Sequence, residues 1–434
     1  MKSSSDRLAE RLESELGADA VKGEPAMLAA HRIDGKEPRL LCFPADPGEV
    51  AAALRLCSEV DAAVAPCGGG TAMGIGNPPR QLDVVMGLHR LNLLVEHDQA
   101  NLTATAQSGI TLAALQEILA RQNQFLPFDP PTATRATIGG IVAANLNGPR
   151  RSYYGSVRDL VIGMKVVLGS GEAIKAGGKV VKNVAGYDMC KLFVGSLGTL
   201  GIITEVTLRM APIPEAAATL VASGTLPEVL HLTEALSHAK LFPSAVVLLN
   251  TKTSKTQSGQ NDWRVAVWCE GFARSVARQL HEAQETARRM GLAIEILRET
   301  EHTRLWQEIR DFPLQTDRLV YRVIVPRAAA MEVIQTVHSW ATVDARAEII
   351  GDAAMGTLWI SLDANDGAAK WFAKLIAEAQ KHRGHAVMLA APPHLKQGVD
   401  VWGSAPPALS FMREIKRQFD PKESLNPGRF TAGI

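Results

Sequence analysis

Two periodicities divide this chain. Between about residue 40 and residue 212 the apolar positions come as short runs or alternate with polar ones, and glycine and proline interrupt them every few residues. That is the pattern of short β-strands. Strands are expected at 62–65, 84–86, 102–106 and 161–168, with one helix at 112–122 opened by Thr111 as its N-cap. After Pro212-Ile213-Pro214 the texture changes. Helices at 226–236, 275–290, 328–340 and 371–382 are interleaved with strands at 245–249, 265–270, 319–325 and 357–362, which predicts a sheet covered on one face by helices. A helix at 407–419 and a turn-rich tail from Asp420 to Phe430 close the chain, and Ser3-Ser4-Ser5-Asp6 opens it as the cap of a charged amphipathic helix. The fold class is therefore α+β. Residues 1–30 form a helical segment, 31–214 a strand- and glycine-rich domain, 215–400 a second domain with an antiparallel sheet, and 401–434 a closing segment.

Composition narrows the function. A chain of 434 residues, 46% hydrophobic and 21% charged, has enough apolar material for more than one core. A net charge of +1, with no basic stretch beyond pairs such as Arg150-Arg151, argues against a nucleic-acid partner. The N-terminus has no apolar h-region and no run is long enough to span a bilayer, so a cytoplasmic place is expected, with membrane contact only through partners. Cys42, Cys57, Cys67, Cys190 and Cys269 form no C-x-x-C pair, which speaks against a disulfide framework and against a ferredoxin-type cluster in this chain. His382 and His385 are the closest histidine pair and read as a helix end, so no metal site is expected.

The chemistry begins at Pro66-Cys67-Gly68-Gly69-Gly70-Thr71-Ala72-Met73-Gly74-Ile75-Gly76, directly after an apolar strand. Five glycines in nine residues clear Cβ atoms from a loop whose amides can converge on a small anion. The spacing is neither G-x-G-x-x-G nor a P-loop, and taken alone a glycine-rich surface turn explains it equally well. Two further segments change the balance. One runs Asp129-Pro130-Pro131-Thr132, then Ala136-Thr137-Ile138-Gly139-Gly140-Ile141-Val142-Ala143-Ala144-Asn145, Asn147-Gly148-Pro149-Arg150 and Tyr154-Gly155-Ser156-Val157-Arg158-Asp159. The other runs Lys182-Asn183-Val184-Ala185-Gly186-Tyr187-Asp188, then Gly195-Ser196-Leu197-Gly198-Thr199-Leu200-Gly201-Ile202-Ile203-Thr204. Three small-residue loops in one domain suit a long ligand lying against backbone from several sides.

These segments resemble the vanillyl-alcohol-oxidase/p-cresol-methylhydroxylase flavoprotein family, and the resemblance runs through nearly the whole chain. It implies a two-subdomain FAD-binding domain of the p-cresol-methylhydroxylase type, a cap domain, and a tail that returns to the flavin. By this resemblance Gly68-Gly69-Gly70-Thr71, with Pro66, Cys67, Ala72 and Gly74 around them, hold the pyrophosphate. Thr137, Ile138, Gly139, Gly140, Ala143 and Asn145 lie along the flavin and ribityl chain, with Pro131, Thr132, Gly148 and Tyr154 nearby. Gly198, Gly201, Ile202 and Ile203 meet the adenine half, and Asn426 and Arg429 come from the closing segment. Members with covalent flavin often carry a histidine where Thr71 stands here, so FAD is expected to be non-covalent. Cys67 reads as a small buried residue rather than an activated thiol. Asn147 and Tyr153 replace a glycine and a lysine common among relatives.

Within the family the chain is most similar to the E-type FAD subunits of bacterial glycolate oxidase and to D-2-hydroxyacid dehydrogenases. That implies a small 2-hydroxyacid substrate, a larger FAD-containing sister subunit and a separate iron–sulfur subunit. The family's H-x-G-D-G-N-x-H has its nearest counterpart at Ile349-Ile350-Gly351-Asp352-Ala353-Ala354-Met355-Gly356, where both histidines are lost, to Ile349 and Gly356. A metal-free carboxylate clamp would fall to Arg310, on the segment Leu305-Trp306-Gln307-Glu308-Ile309-Arg310, or to Arg322 on a strand. A surface ion pair is the commoner fate of an arginine. Trp306 reads first as a core anchor, and His394, Lys396 and Trp402 are lesser candidates. Three readings stay open: an FAD subunit relaying electrons from a 2-hydroxyacid toward iron–sulfur and quinone acceptors, a self-sufficient metal-independent enzyme, and a catalytically silent FAD-stabilised scaffold.

Overall fold

The computed structural model describes residues 4–178, 187–250, 263–314, 318–344, 347–363 and 367–434. Lys182 to Gly186 of the third glycine-bearing segment lie outside the described residues. The first sheet contains β1 (Val21–Lys22), β2 (Leu40–Cys42), β3 (Val64–Cys67) and β4 (Val84–Gly87) in the order β1-β2-β4-β3. β4 pairs in parallel with both β2 and β3, and all four of its residues are buried. Strands covered on both faces need no polar alternation, which explains the plain apolar runs in this region. The helices Ser4–Leu16 and Pro47–Glu59 cover one face through Leu8, Leu12, Val50, Leu54 and Cys57. Asp46 caps the second helix by accepting from the amides of Gly48 and Glu49.

The second sheet is antiparallel: β5 (Leu94–Asp98) and β6 (Thr103–Gln107), then, beyond a short β7 (Gln124–Phe125), β8 (Val161–Val167), β9 (Ala173–Gly177) and β10 (Ile202–Arg209), in the order β5-β6-β10-β8-β9. β11 (Ala211–Pro212) pairs with β7. The helices Leu112–Ala120 and Ile138–Ala144 pack on this sheet through Leu115, Leu119, Ile141 and Val142 against Val166, Val206 and Leu208.

The third sheet has eight antiparallel strands: β12 (Ala216–Gly224), β13 (Ala245–Leu249), β14 (Trp263–Gly271), β15 (Ala293–Leu297), β16 (Arg318–Ile324), β17 (Glu348–Asp352), β18 (Thr357–Asp363) and β19 (His385–Ala390). Their order is β15-β12-β14-β13-β17-β18-β16-β19. The helices Leu226–His238, Ala273–Arg289, Ala330–Asp344 and Ala368–Lys381 cover one face. On the other face Val247, Trp268, Ile350 and Trp359 join the helix Glu299–Asp311 in a core continuous with that of the second sheet. One face of the third sheet is thus buried against the first half of the chain. Four of its strands, β12, β15, β17 and β19, escape the sequence reading.

The tail is a structural member of the first half. Val64 donates to Ser424, and Asn426 donates back to Val64, so Leu425 lies beside β3 as a further strand position. On the helix Leu409–Phe419, the buried Lys416 Nζ donates to the carbonyls of Thr199 (2.7 Å) and Leu425 (2.9 Å) and to Asp420 (2.7 Å), tying the tail to the Gly198 loop. Among the described residues no helix is long and apolar enough to cross a membrane.

Candidate functional site

Where β3 ends, the glycine loop folds against two other segments, and side chains would prevent it. A Cβ on Gly69 would stand 1.8 Å from the Arg135 carbonyl oxygen, and one on Gly68 2.1 Å from Thr137 Oγ1. Gly70 turns with φ +71°, which L side chains rarely adopt. Among the described residues, no backbone carbonyl accepts from the amides of Gly68, Gly69, Thr71, Ala72 or Met73. Their donors are free for a ligand in the cleft alongside.

That cleft takes in about 730 Å³ of space, the solvent at its mouth included. It brings together Pro66, Gly68, Gly69, Gly70, Thr71, Ala72, Thr137, Gly139, Gly140, Ala143, Gly198, Gly201, Ile202, Ile203, Asn426 and Arg429. Met73, Leu88, Ser108, Ala144 and Leu197 also line it and were missed. Ser108 follows a strand end and precedes Gly109, the one local signal that could have marked it. Three buried polar atoms on the lining have no partner: Ser108 Oγ, Asn426 Oδ1 and Arg429 Nε. Buried polar groups are normally satisfied, so these fit a polar ligand with donors and acceptors along its length.

The tail holds this loop in place. Arg429 donates from Nη2 to the carbonyls of Met73 and Ile75, both at 2.6 Å, and from Nη1 to Asp34 at 3.2 Å. Lys396 donates to the other Asp34 oxygen (2.7 Å) and to the Gly74 carbonyl (2.5 Å). Lys396 is therefore a latch rather than a substrate group, and Trp402 donates to the Arg429 carbonyl.

Eight residues expected at the cofactor do not line the cleft. Cys67 is buried at the end of β3, where burial raises its thiol pKa although the Gly70 amide donates to the sulfur. Gly74 is occupied by Lys396, and Ile138 is core. Asn145 is the left-handed cap of the helix Ile138–Ala144 and accepts from Asn147. Pro131 and Thr132 face the third sheet's side, where the Thr132 amide donates to Asp311 (2.7 Å). Gly148 packs on Asp129, and Tyr154 stacks edge-on to Phe125 with its phenol toward Glu270.

These last residues border a second polar region, between the first half and the face of the third sheet turned toward it. Arg150 lies 3.7 Å from Asp129 and 3.6 Å from Glu270, with its guanidinium over Trp268. Burial holds the Asp129 pKa above the usual carboxylate range despite Arg150. Arg310, at the end of the helix Glu299–Asp311, and Arg322, on β16, both reach this region. The surface ion pair is corrected for each: both side chains are half-buried, the buried Nε of each lacks a partner, and burial lowers both pKa values, Arg322 to about 10. Trp306 is a core anchor, 1% exposed and donating to Thr219, which also bonds His302 (2.8 Å). Asp352, at the end of β17, is buried and its pKa rises to about 7, chiefly by desolvation. His382 and His385 flank the end of the helix Ala368–Lys381, with the His382 ring 3.6 Å from Glu378. Among the described residues, no group of three or more His, Cys, Asp or Glu is placed to hold a metal ion.

A glycine-closed cleft with unsatisfied donors along its wall suits a nucleotide cofactor, and sequence comparison names FAD. The "FAD binding domain" family profile matches residues 38–177. Glycolate oxidase subunit GlcE of Escherichia coli (strain K12) is 30% identical over 358 residues, covering 79% of this chain and 85% of the relative. Glycolate oxidase subunit GlcD of Bacillus subtilis (strain 168) is 28% identical over 424 residues, covering 91% and 89%. The solved structure of p-cresol methylhydroxylase with substrate bound superposes with a TM-score of 0.76 at 17% identity, covering 98% of this chain and 96% of that one. The chain belongs to the vanillyl-alcohol-oxidase/p-cresol-methylhydroxylase family of FAD-dependent oxidoreductases, among the relatives of the glycolate oxidase subunits.

Proposed function

We propose that this chain is the FAD-carrying subunit of a 2-hydroxyacid dehydrogenase complex of the glycolate oxidase type, working beside a larger flavin subunit and an iron–sulfur subunit. Bound FAD supplies a two-electron acceptor. The chain's own residues do the rest. The glycine loop amides take the pyrophosphate, and Arg429 and Lys396 keep that loop closed from behind. The Ile138–Ala144 helix and the Gly198–Ile203 segment, with Ser108, flank the remainder of the cofactor. Attachment is non-covalent: Thr71 offers no nucleophile comparable to histidine, and the one thiol near the loop, Cys67, is buried with a raised pKa.

The observation that carries the reading is that one chain holds both this cleft and a half-buried pair of arginines, Arg310 and Arg322, in its second half. Arg310 and Arg322 each hold a buried Nε without a partner, and such donors favour a carboxylate ligand. Such a pair also supports the second reading, a self-sufficient metal-independent enzyme.

Anaerobic titration of the purified flavoprotein with glycolate and D-lactate, followed at the flavin absorbance, separates the readings. Bleaching only after the sister subunits are added is the expected result. Bleaching by the isolated chain selects the self-sufficient enzyme. A flavin that dithionite reduces but that never turns over in the assembled complex makes the chain a scaffold.

A further inference from the structure

One wall of the cleft is held from behind by a single lysine. Lys416, on the tail helix Leu409–Phe419, is 2% exposed and does not itself line the cleft. An ammonium has three donors, and here all three are spent: on the Thr199 carbonyl, on the Leu425 carbonyl and on Asp420. Asp420, also buried, is the counter-charge that opposes the lowering of the Lys416 pKa by burial. Its own carboxylate is saturated. Oδ1 accepts from the amide and the hydroxyl of Ser424 (3.1 and 3.0 Å), and Oδ2 accepts from the Leu425 amide (2.8 Å) as well as from Lys416. The turn from 420 to 425 is thus wrapped around one ion pair, which offers nothing to a ligand directly.

Both carbonyls that Lys416 holds are next in the chain to residues that do line the cleft. Thr199 follows Gly198, and Leu425 precedes Asn426. Those two neighbours meet: a Cβ on Gly198 would lie 3.5 Å from Asn426 Nδ2, which donates to the Leu197 carbonyl (2.7 Å). With Nδ2 committed, Oδ1 is the free end of the amide, and it is buried without a partner on the cleft lining. Among the described residues, no backbone carbonyl accepts from the Gly198 amide. The wall therefore presents one donor beside one acceptor. Leu197 (φ 52°), Gly198 (φ 69°) and Asn426 (φ 43°) all have left-handed backbone here, a cost above all for Leu197, and such backbone persists only where its surroundings over-determine it. Lys416 supplies part of that determination from 217 residues away in sequence.

We propose that Lys416, held by Asp420, is a positioning residue of the FAD site: it fixes the Gly198 amide and the Asn426 side-chain carbonyl as a donor–acceptor pair for a cofactor group that both accepts and donates, as a sugar hydroxyl does. FAD carries such hydroxyls on the ribose of its ADP half and on the ribityl chain of its FMN half. The proposal rests on the placement of FAD in this cleft given above. Arg429, at the far end of the tail, holds the glycine loop, whereas Lys416 holds this wall. Loss of Lys416 therefore leaves the loop's rear anchor in place and moves only the wall.

The test is calorimetric titration of apoprotein with FAD, ADP and FMN, in wild type, K416M/D420N, K416R and N426A. The double variant removes both charges together, so no buried charge is left unpaired, and it is expected to keep a cooperative urea transition. Its FAD affinity should fall by about tenfold or more, with the loss confined to one half of the cofactor. ADP alone is weakened where the wall takes the ribose, and FMN alone where it takes the ribityl chain. K416R keeps the charge and several donors and should recover part of the affinity. N426A leaves Lys416 and its three bonds in place and should lose affinity for the same half. Equal FAD affinity in wild type and K416M/D420N overturns the proposal. So does a loss shared equally by ADP and FMN, the mark of a loosened fold rather than a displaced wall. An N426A protein that binds both halves as wild type does, or loses the opposite one, overturns the donor–acceptor pair. A wild-type apoprotein that takes up no FAD ends the FAD reading itself.

Discussion

Replacing Arg429 with methionine should damage stability and cofactor binding together, through a contact that is remote in sequence. Arg429 is 3% exposed and its guanidinium reaches three acceptors: Asp34, and the carbonyls of Met73 and Ile75 in the loop that closes the cleft. Hydrogen bonds from a charged donor are worth about 1.5–3 kcal/mol each, and the two carbonyls at 2.6 Å would lose theirs without access to water. Asp34 fares better, since Lys396 still pairs with it at 2.7 Å. The sum is a loss of about 3–5 kcal/mol, in the range for breaking a buried charged network on one side. The glycine loop also loses its rear anchor, so FAD affinity should fall by at least about tenfold. Urea unfolding with and without added FAD, and fluorescence titration of the apoprotein with FAD, measure the two effects. R429K should recover part of the stability, because one ammonium cannot serve both carbonyls and Asp34 in the guanidinium geometry. An R429M protein with the wild-type urea midpoint and wild-type FAD affinity would refute the reasoning.

Three further outcomes follow from the same geometry. G69A places a Cβ 1.8 Å from a backbone oxygen, which only a shift of the loop relieves, so the protein should purify colourless while keeping its far-ultraviolet circular dichroism. S108A removes a hydroxyl that has no partner in the protein, so apoprotein stability should be unchanged or slightly raised while FAD binds about fivefold more weakly; equal FAD affinity would show that Ser108 does not contact the cofactor. His302 titrates at about 4, lowered by burial and then by Arg150 and Arg310, against about 6.5 in the unfolded chain. The folded state thus binds fewer protons between those values. Its contribution of about 3 kcal/mol is complete above about pH 6.5 and lost as pH falls toward 4. Stability measured by urea unfolding across that window should flatten in H302N, and an unchanged slope would assign the acid sensitivity elsewhere.

Much of the cofactor side was legible because it is local. Glycine spacing around Gly68 to Gly76, the Thr137 cap and the Gly198–Ile203 run are short-range patterns, and the structure gathers them on one cleft. Four of the strands and the main helices beyond residue 215 were legible for the same reason, with ends displaced by up to four residues. Ser108 was not, since its hydroxyl matters only because the Ile138–Ala144 helix and the glycine loop close over it. Tyr154, Gly148 and Thr132 follow the family motifs in sequence, yet the chain carries them to the wall that meets the third sheet.

The sequence by itself pointed to backbone left open for a long ligand, because glycine's missing Cβ is a property of each residue, and the resemblance of those segments to a flavoprotein family supplied FAD. It also determined that both histidines of the family's second-domain motif are absent, at Ile349 and Gly356. Only the tertiary structure decided which arginines are surface groups and which are buried without partners. Burial and charge compensation depend on what other segments bring alongside. Arg151 acts on Arg322 across 171 residues of chain, and no local pattern encodes that meeting.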